Sequence, residues 1–346
     1  MSRWSSEKIF EWYSEQEWLI GSNFLPSTAI NQLEMFQRET FDEITIEKEL
    51  GLANSLGFNS MRVYLHDLLW DIKDEFSINF EKFLLICEQN NIKPIIVLFD
   101  DCHRANPKLG PQYLPVKGIH NSGWSQSPGH KIVKDISNGS TSELKRLKNF
   151  TQGILDLYRN DQRILLWDLY NEPGQFGIGE QSLNFLELVW DWAFEVRPDQ
   201  PLTSCMDGSI GERIIALNSE KSDVITFHTY EADKLEPTIK ELSNFNRPMI
   251  CTEYMAREFG TTFEFSLPIF KKHNVGCYNW GFVAGKSQTH FGWETILKLK
   301  ESVKNKDFVN DVREIPEPKI WFHDIFRIDG SPYDQKEIDF IKNFLI

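Results

Sequence analysis

The chain has 346 residues, 41% of them hydrophobic and 25% charged, the balance of an ordinary soluble globular protein. Its formal net charge of −14 repels phosphate backbones and argues against nucleic acid as a partner. No apolar run reaches the roughly eighteen residues that a membrane-spanning helix needs, and residues 1–18 lack the apolar core of a secretion signal. The five cysteines (Cys87, Cys102, Cys205, Cys251, Cys277) are scattered and odd in number, with no CxxC pair. That pattern predicts neither a disulfide framework nor structural zinc and favours a reducing, cytoplasmic setting. Aromatic residues are abundant at 13%, including 26 Phe and 11 Trp.

In chain order, residues 19–24 read as a first strand. Ile46, Leu50, Ala53 and Leu56 then recur at helical spacing, with Gly57 as a helix stop. Residues 58–65 predict a second strand, and Phe80, Phe83, Leu84 and Cys87 mark the next helix. Residues 95–99 form a continuously apolar third strand, as expected for a parallel strand buried on both faces. Residues 100–141 are rich in Gly, Pro, Ser and Asn without a clear period, and read as one long loop. Leu144, Leu147, Phe150, Ile154 and Leu157 resume a helix. Strands follow at 164–170, 202–206, 224–229, 248–252 and 275–280, alternating with helices at about 186–193, 211–217, 234–245 and 262–273. A second long irregular stretch, about 285–332, precedes a last helix near 334–344.

Eight strands alternating with helices predict a single (β/α)8 barrel spanning residues 1–346, because parallel strands need helical crossovers. An open doubly wound sheet fits less well, since no GxGxxG follows the first strand.

Chemistry in such a barrel sits at the C-terminal strand ends, and those ends are polar here. They carry Arg62, Tyr64 and His66; Asp100, Asp101, Cys102 and His103; Asn171 and Glu172; Asp207; His228, Tyr230 and Glu231; Glu253 and Tyr254; and Asn279 and Trp280. Glu172 and Glu253 each follow an apolar strand, where a carboxylate is poorly solvated and must be functional or paired. Strands four and seven lie across the barrel mouth from each other. Two carboxyls facing across a pocket suit glycoside hydrolysis, one protonating the leaving oxygen while the other attacks the anomeric carbon or activates water. The adjacent acids Asp100 and Asp101, followed by Cys102 and His103, do not make a convincing metal cluster, because neighbouring residues cannot all converge on one ion.

The stretch Trp167-Asp168-Leu169-Tyr170-Asn171-Glu172-Pro173 on strand four and Thr252-Glu253-Tyr254 on strand seven carry a resemblance. Arg62, His228, Tyr230 and Trp280 support it in the expected order. With these motifs the chain resembles glycoside hydrolase clan A, and within it family 5, the cellulase-type barrels. The resemblance implies a retaining β-glycosidase with Glu172 as acid/base and Glu253 as nucleophile, and with no metal or cofactor. It also implies that Asn171 holds the sugar 2-hydroxyl, that Arg62 and Tyr230 keep Glu253 ionised and oriented, that His228 tunes the carboxyl pair and that Trp280 is a sugar platform. Many family members place a His, preceded by Asp or Asn, soon after strand three. Here His103 fills that role, or Asp100 and Asp101 bind sugar hydroxyls instead.

The loop aromatics Tyr113, Trp124, Trp293 and Trp321 are candidate stacking surfaces, and Lys286 and Gln288 are candidates for contact with hydroxyls or charged substituents. The expected partner is a β-linked oligo- or polysaccharide. Loops as long as those after strands three and eight can block one end of a cleft, which favours a short pocket and oligosaccharide substrates. One alternative, a transglycosidase, keeps the same carboxylate pair; the other, a non-catalytic carbohydrate-binding barrel, requires one carboxylate to be missing or misplaced, and both are present here. A metal-dependent barrel hydrolase usually carries His-x-His at the end of strand one, where this chain has Ser22-Asn23-Phe24.

Overall fold

The computed structural model describes residues 2–206, 208–297 and 316–345. Asp207 and part of the long 285–332 stretch therefore lie outside the described residues. The eight expected strands are β1 (Ile20–Asn23), β2 (Ser60–Tyr64), β3 (Lys93–Asp100), β4 (Leu166–Asn171), β5 (Leu202–Thr203), β6 (Ile225–His228), β7 (Met249–Tyr254) and β8 (Gly276–Asn279). They hydrogen-bond in the order β5-β4-β3-β2-β1-β8-β7-β6, each pair parallel. The seam between β5 and β6 is closed by isolated bonds, Asp223 N to Leu202 O at 2.8 Å and Met206 N to Thr226 O at 2.9 Å. The architecture is a single-domain (β/α)8 barrel.

Sequence chemistry explains the elements. In the helix Glu43–Leu56, Asp42 caps the N-terminus by accepting from Thr45 N, and Gly57 at φ +86° ends it in the left-handed region that glycine enters without cost. The side chains of β3 alternate. Ile96 and Leu98 join the apolar layer between strands and helices. Ile95 joins a cluster with Leu166, Ile250 and Tyr278 that also takes in Ile9 and Tyr13. These last two belong to a helix, Ser6–Ser14, that the polar N-terminal sequence did not reveal. The Tyr13 hydroxyl lies within hydrogen-bond distance of the carbonyls of Met249 and Asn274 and accepts from Gly276 N. This helix closes the N-terminal end of the barrel and leaves the other end for chemistry.

The structure revises three expectations. β5 is only two residues long rather than running through 206. The 100–141 segment carries a helix, His130–Ser137, whose Val133 and Ile136 are buried. The helix Gln32–Phe36, also unforeseen, packs under the same loop: Gln32 Nε2 donates to Ser125 O at 2.7 Å. Among the described residues, no helix is long and apolar enough to cross a membrane.

Candidate active site

β2 places Arg62 inside the barrel, fully buried. A guanidinium there must be neutralised and hydrogen-bonded. Nε and Nη2 donate to Asp168 Oδ2 at 3.1 and 2.8 Å, and Nη2 also donates to Asn171 Oδ1 at 2.7 Å. Nη1 reaches Asn23 Oδ1 at 3.0 Å, Glu253 Oε1 at 2.9 Å and the Tyr64 hydroxyl. Four strand ends are thus tied to one cation, which the anions around it keep protonated against the cost of burial.

Glu253 lies within β7 and accepts from three side chains. Arg62 and Tyr64 donate to Oε1, each at 2.9 Å, and Tyr230 donates to Oε2 at 2.6 Å. Burial and the Glu253 carboxylate hold the Tyr230 phenol well above its ordinary range, so it keeps the proton it donates.

Glu172 stands one residue beyond β4 at φ +44°, a left-handed conformation that costs a non-glycine residue about 1 kcal/mol or more. His228 Nδ1, from β6, lies 2.7 Å from its Oε1, and Cys102 Sγ donates to its Oε2 at 3.0 Å. Burial alone raises the Glu172 carboxyl, but the hydrogen bond and charge of His228, aided by Cys102 and Arg62, outweigh it and hold Glu172 below the usual carboxylate range. Burial opposes a charge on His228, yet the neighbouring Cys205, Glu253 and Glu172 hold it well above the ordinary imidazole range. Glu172 is more exposed than His228, its side chain at 17% against 3%.

Glu172, His228 and Glu253 each offer one ligand-type atom within 4.8 Å of the others. The two carboxylates therefore face each other at close range. Each of their four oxygens already receives a proton donor or lies against His228, so the charge of the trio is met by protons on the chain itself.

The cleft over this cluster has a volume of about 740 Å³, and Asn171, Trp280, His103, Trp124 and Trp293 help to line it. Asn171, Glu172, His228, Tyr230, Glu253 and Trp280 are thus brought together. His103 stands on the wall, its ring 4.6 Å from Phe176. Trp124 is almost wholly buried, with Nε1 donating to Asp100 Oδ2 at 2.6 Å.

Other expected contacts are not in the cleft. Asp100 lies beneath Asn171, accepting from Asn171 Nδ2 at 3.0 Å and Cys102 N at 2.9 Å, so it positions the amide rather than meeting a sugar. Burial pushes its carboxyl up to about 7. Asp101 points away and accepts from Tyr170, Gly174 N and Ser182. Gln288 spends its amide on the other long loop, accepting from Gly118 N and donating to Val116 O, each at 2.8 Å. Lys286 pairs with Glu34 at 2.7 Å. Trp321 is buried, stacked on Tyr333, and Tyr113 lies over the Arg104 guanidinium.

Four contributors were given no role from the sequence: Asn23 and Gly208, and Tyr64 and Cys102, which were named only as strand-end residues. Tyr64 and Cys102 stand at strand ends, a signal that was available. Gly208 had none. It adopts φ +107°, and a Cβ there would lie 2.9 Å from His228 Nδ1 and 3.1 Å from Glu172 Oε1. Gly208→Ala is expected to push this pair apart and lower kcat by about 10²-fold, the scale of an ångström-sized displacement of reacting groups. Steady-state kinetics beside a thermal melt checks this, and unchanged kcat in a folded variant contradicts it.

The sequence matches no protein-family profile and no curated protein, whereas its structure resembles solved enzymes. The exo-β-1,4-mannosidase Op5Man5 from Opitutaceae bacterium strain TAV5 superposes with a TM-score of 0.63 at 16% identity, over 94% of this chain and 58% of that one. The chain thus spans little more than half of that mannosidase. GH5_18 from Streptomyces cattleya, in complex with GlcNAc, gives a TM-score of 0.59 at 11% identity over 94% and 79% of the two chains. The endo-1,4-β-mannanase from Rhizomucor miehei gives 0.51 at 13% identity over 76% and 89%. What the chain shares with these enzymes is the (β/α)8 barrel fold.

Proposed function

We propose that this protein is a retaining β-glycoside hydrolase acting on β-linked carbohydrate, with Glu253 as nucleophile and Glu172 as acid/base. The observation that carries this reading is the close approach of Glu172 and Glu253, with an oxygen of each within 4.8 Å. Carboxyls about 5–5.5 Å apart suit a covalent double displacement, whereas roughly 6.5–9.5 Å leaves room for the water of an inverting enzyme.

In the first step a Glu253 oxygen attacks the anomeric carbon, the bond to the leaving oxygen breaks, and Glu172 supplies the proton. Both Glu172 and His228 line the cleft, and Glu172 is the more exposed of the two, its side chain at 17% against 3%, which leaves its carboxyl free to meet the departing oxygen. The donors Arg62, Tyr64 and Tyr230 fix the attacking carboxylate, so little reorganisation is needed on reaction. In the second step Glu172 takes a proton from water, which attacks the anomeric carbon and releases Glu253. Asn171, held by Arg62 and Asp100, is oriented toward the sugar 2-hydroxyl, and Trp280 supplies the stacking face.

The test is the stereochemistry of the first product. Proton NMR of fresh hydrolysate from an aryl β-glycoside is expected to show the β-anomer first, with the α-anomer growing only by mutarotation. An initial α-anomer overturns the retaining mechanism. Binding of sugars with no turnover across a panel of aryl β-glycosides supports the non-catalytic barrel instead.

A further inference from the structure

We infer that the enzyme removes single sugars from the non-reducing end of its substrate, because the cleft is closed on the side that receives the glycone. This rests on the retaining-glycosidase reading above.

The acid/base marks the leaving-group side of a glycosidase cleft, since it must reach the departing oxygen. Beyond Glu172 the cavity continues past Gln175 and Phe176. The sugar that is attacked must lie over Glu253, whose flank is formed by Tyr64, Trp124 and Trp280. These three rings seal that flank. The centroids of Trp124 and Trp280 are 5.6 Å apart, and Tyr64 stands edge-on to them at 4.8 and 6.0 Å. Among the described residues, the space behind the rings is a cavity of about 20 Å³, bordered by both tryptophans and by residues of β1 and of the loop after β8. That is room for about one water and not for another sugar ring.

The wall is braced rather than merely occupied. The loop after β3 and the loop after β8 are hydrogen-bonded to each other at several points. Asn121 N donates to Ser287 O at 2.7 Å, His120 N to Thr295 Oγ1 at 3.0 Å and Gly118 N to Gln288 Oε1 at 2.8 Å. Gln288 Nε2 returns a bond to Val116 O at 2.8 Å. Trp124 is pinned from below by Asp100. A polysaccharide threading past Glu253 would have to break these bonds together, whereas a chain end needs to break none. Gln288 is thus a specificity element that acts by holding the wall shut.

The experiment begins with 4-nitrophenyl β-glycosides of glucose, mannose, galactose, xylose and N-acetylglucosamine to find the accepted sugar. Reducing-end-labelled oligosaccharides of that sugar are then digested with the non-reducing terminus either free or capped as a 4,6-O-acetal (3,4-O-acetal for xylose, which has no 6-hydroxyl). The expected result is stepwise loss of one sugar from the free chains and at least about 100-fold slower cleavage of the capped ones, a difference in kcat/KM. Internal cutting of capped chains at a comparable rate, release of di- or trisaccharides as first products, or free chains left intact overturns the inference while the aryl-glycoside activity stands. Absence of turnover on every substrate overturns the hydrolase reading, and this inference with it.

Discussion

Glu253→Ala is expected to lower turnover of an activated aryl β-glycoside by on the order of 10⁴-fold or more, the scale seen when a covalent nucleophile is removed. The barrel should stay folded, because Arg62 keeps its ion pair with Asp168 at 2.8 Å. Azide should enter the vacated space and attack the anomeric carbon directly, giving the α-glycosyl azide. Glu172→Ala should behave differently. With a good leaving group the first step needs little acid help, so the glycosyl-enzyme forms and then waits for a general base. Its loss should fall within the roughly 10²–10⁴-fold typical of general acid–base groups and grow as the leaving group worsens. Azide should now yield the β-glycosyl azide, through two inversions. Opposite azide anomers from the two variants would distinguish nucleophile from acid/base within one assay. Wild-type turnover in either variant, or the same anomer from both, contradicts the assignment.

Arg62→Met is expected to destabilise the fold by about 3–5 kcal/mol, the usual cost of stripping a buried ion pair of one partner. The loss follows from what remains: Asp168 and Glu253 lose the guanidinium that is their nearest counter-charge, and Asn23 and Asn171 lose the donor that orients them. Removing charge on both sides, as in Arg62→Met with Asp168→Leu, should restore part of the stability, because the two residues contact each other and their effects do not add. Urea unfolding followed by tryptophan fluorescence measures both. A loss under about 1 kcal/mol for the single variant would mean that the cluster is better solvated than its burial implies.

The sequence by itself determined the barrel, since apolar runs punctuated by helical periodicity leave few packings for a chain of this length. It also determined where chemistry could sit, because carboxylates directly after apolar strands have no reason to be there unless paired or used. Glu172, Glu253, Arg62, His228 and Tyr230 were all legible in this way, as polar residues at the ends of apolar strands. Only the tertiary structure decided which neighbours share the cleft. Asp100 and Asp101 look equivalent in the sequence, yet alternation at the end of β3 sends one beneath Asn171 and the other toward Ser182 and Gly174. The loop tryptophans look equivalent as well, but Trp293 borders the cleft, Trp124 closes it and Trp321 is buried against Tyr333. Gln288 reads in the sequence as a contact for sugar hydroxyls but bridges two loops distant in sequence instead, and Gly208, which acts by the side chain it lacks, carried no local signal. A one-dimensional pattern records burial and period. Which long loop meets which, and what space is left between them, depends on contacts between residues more than a hundred positions apart.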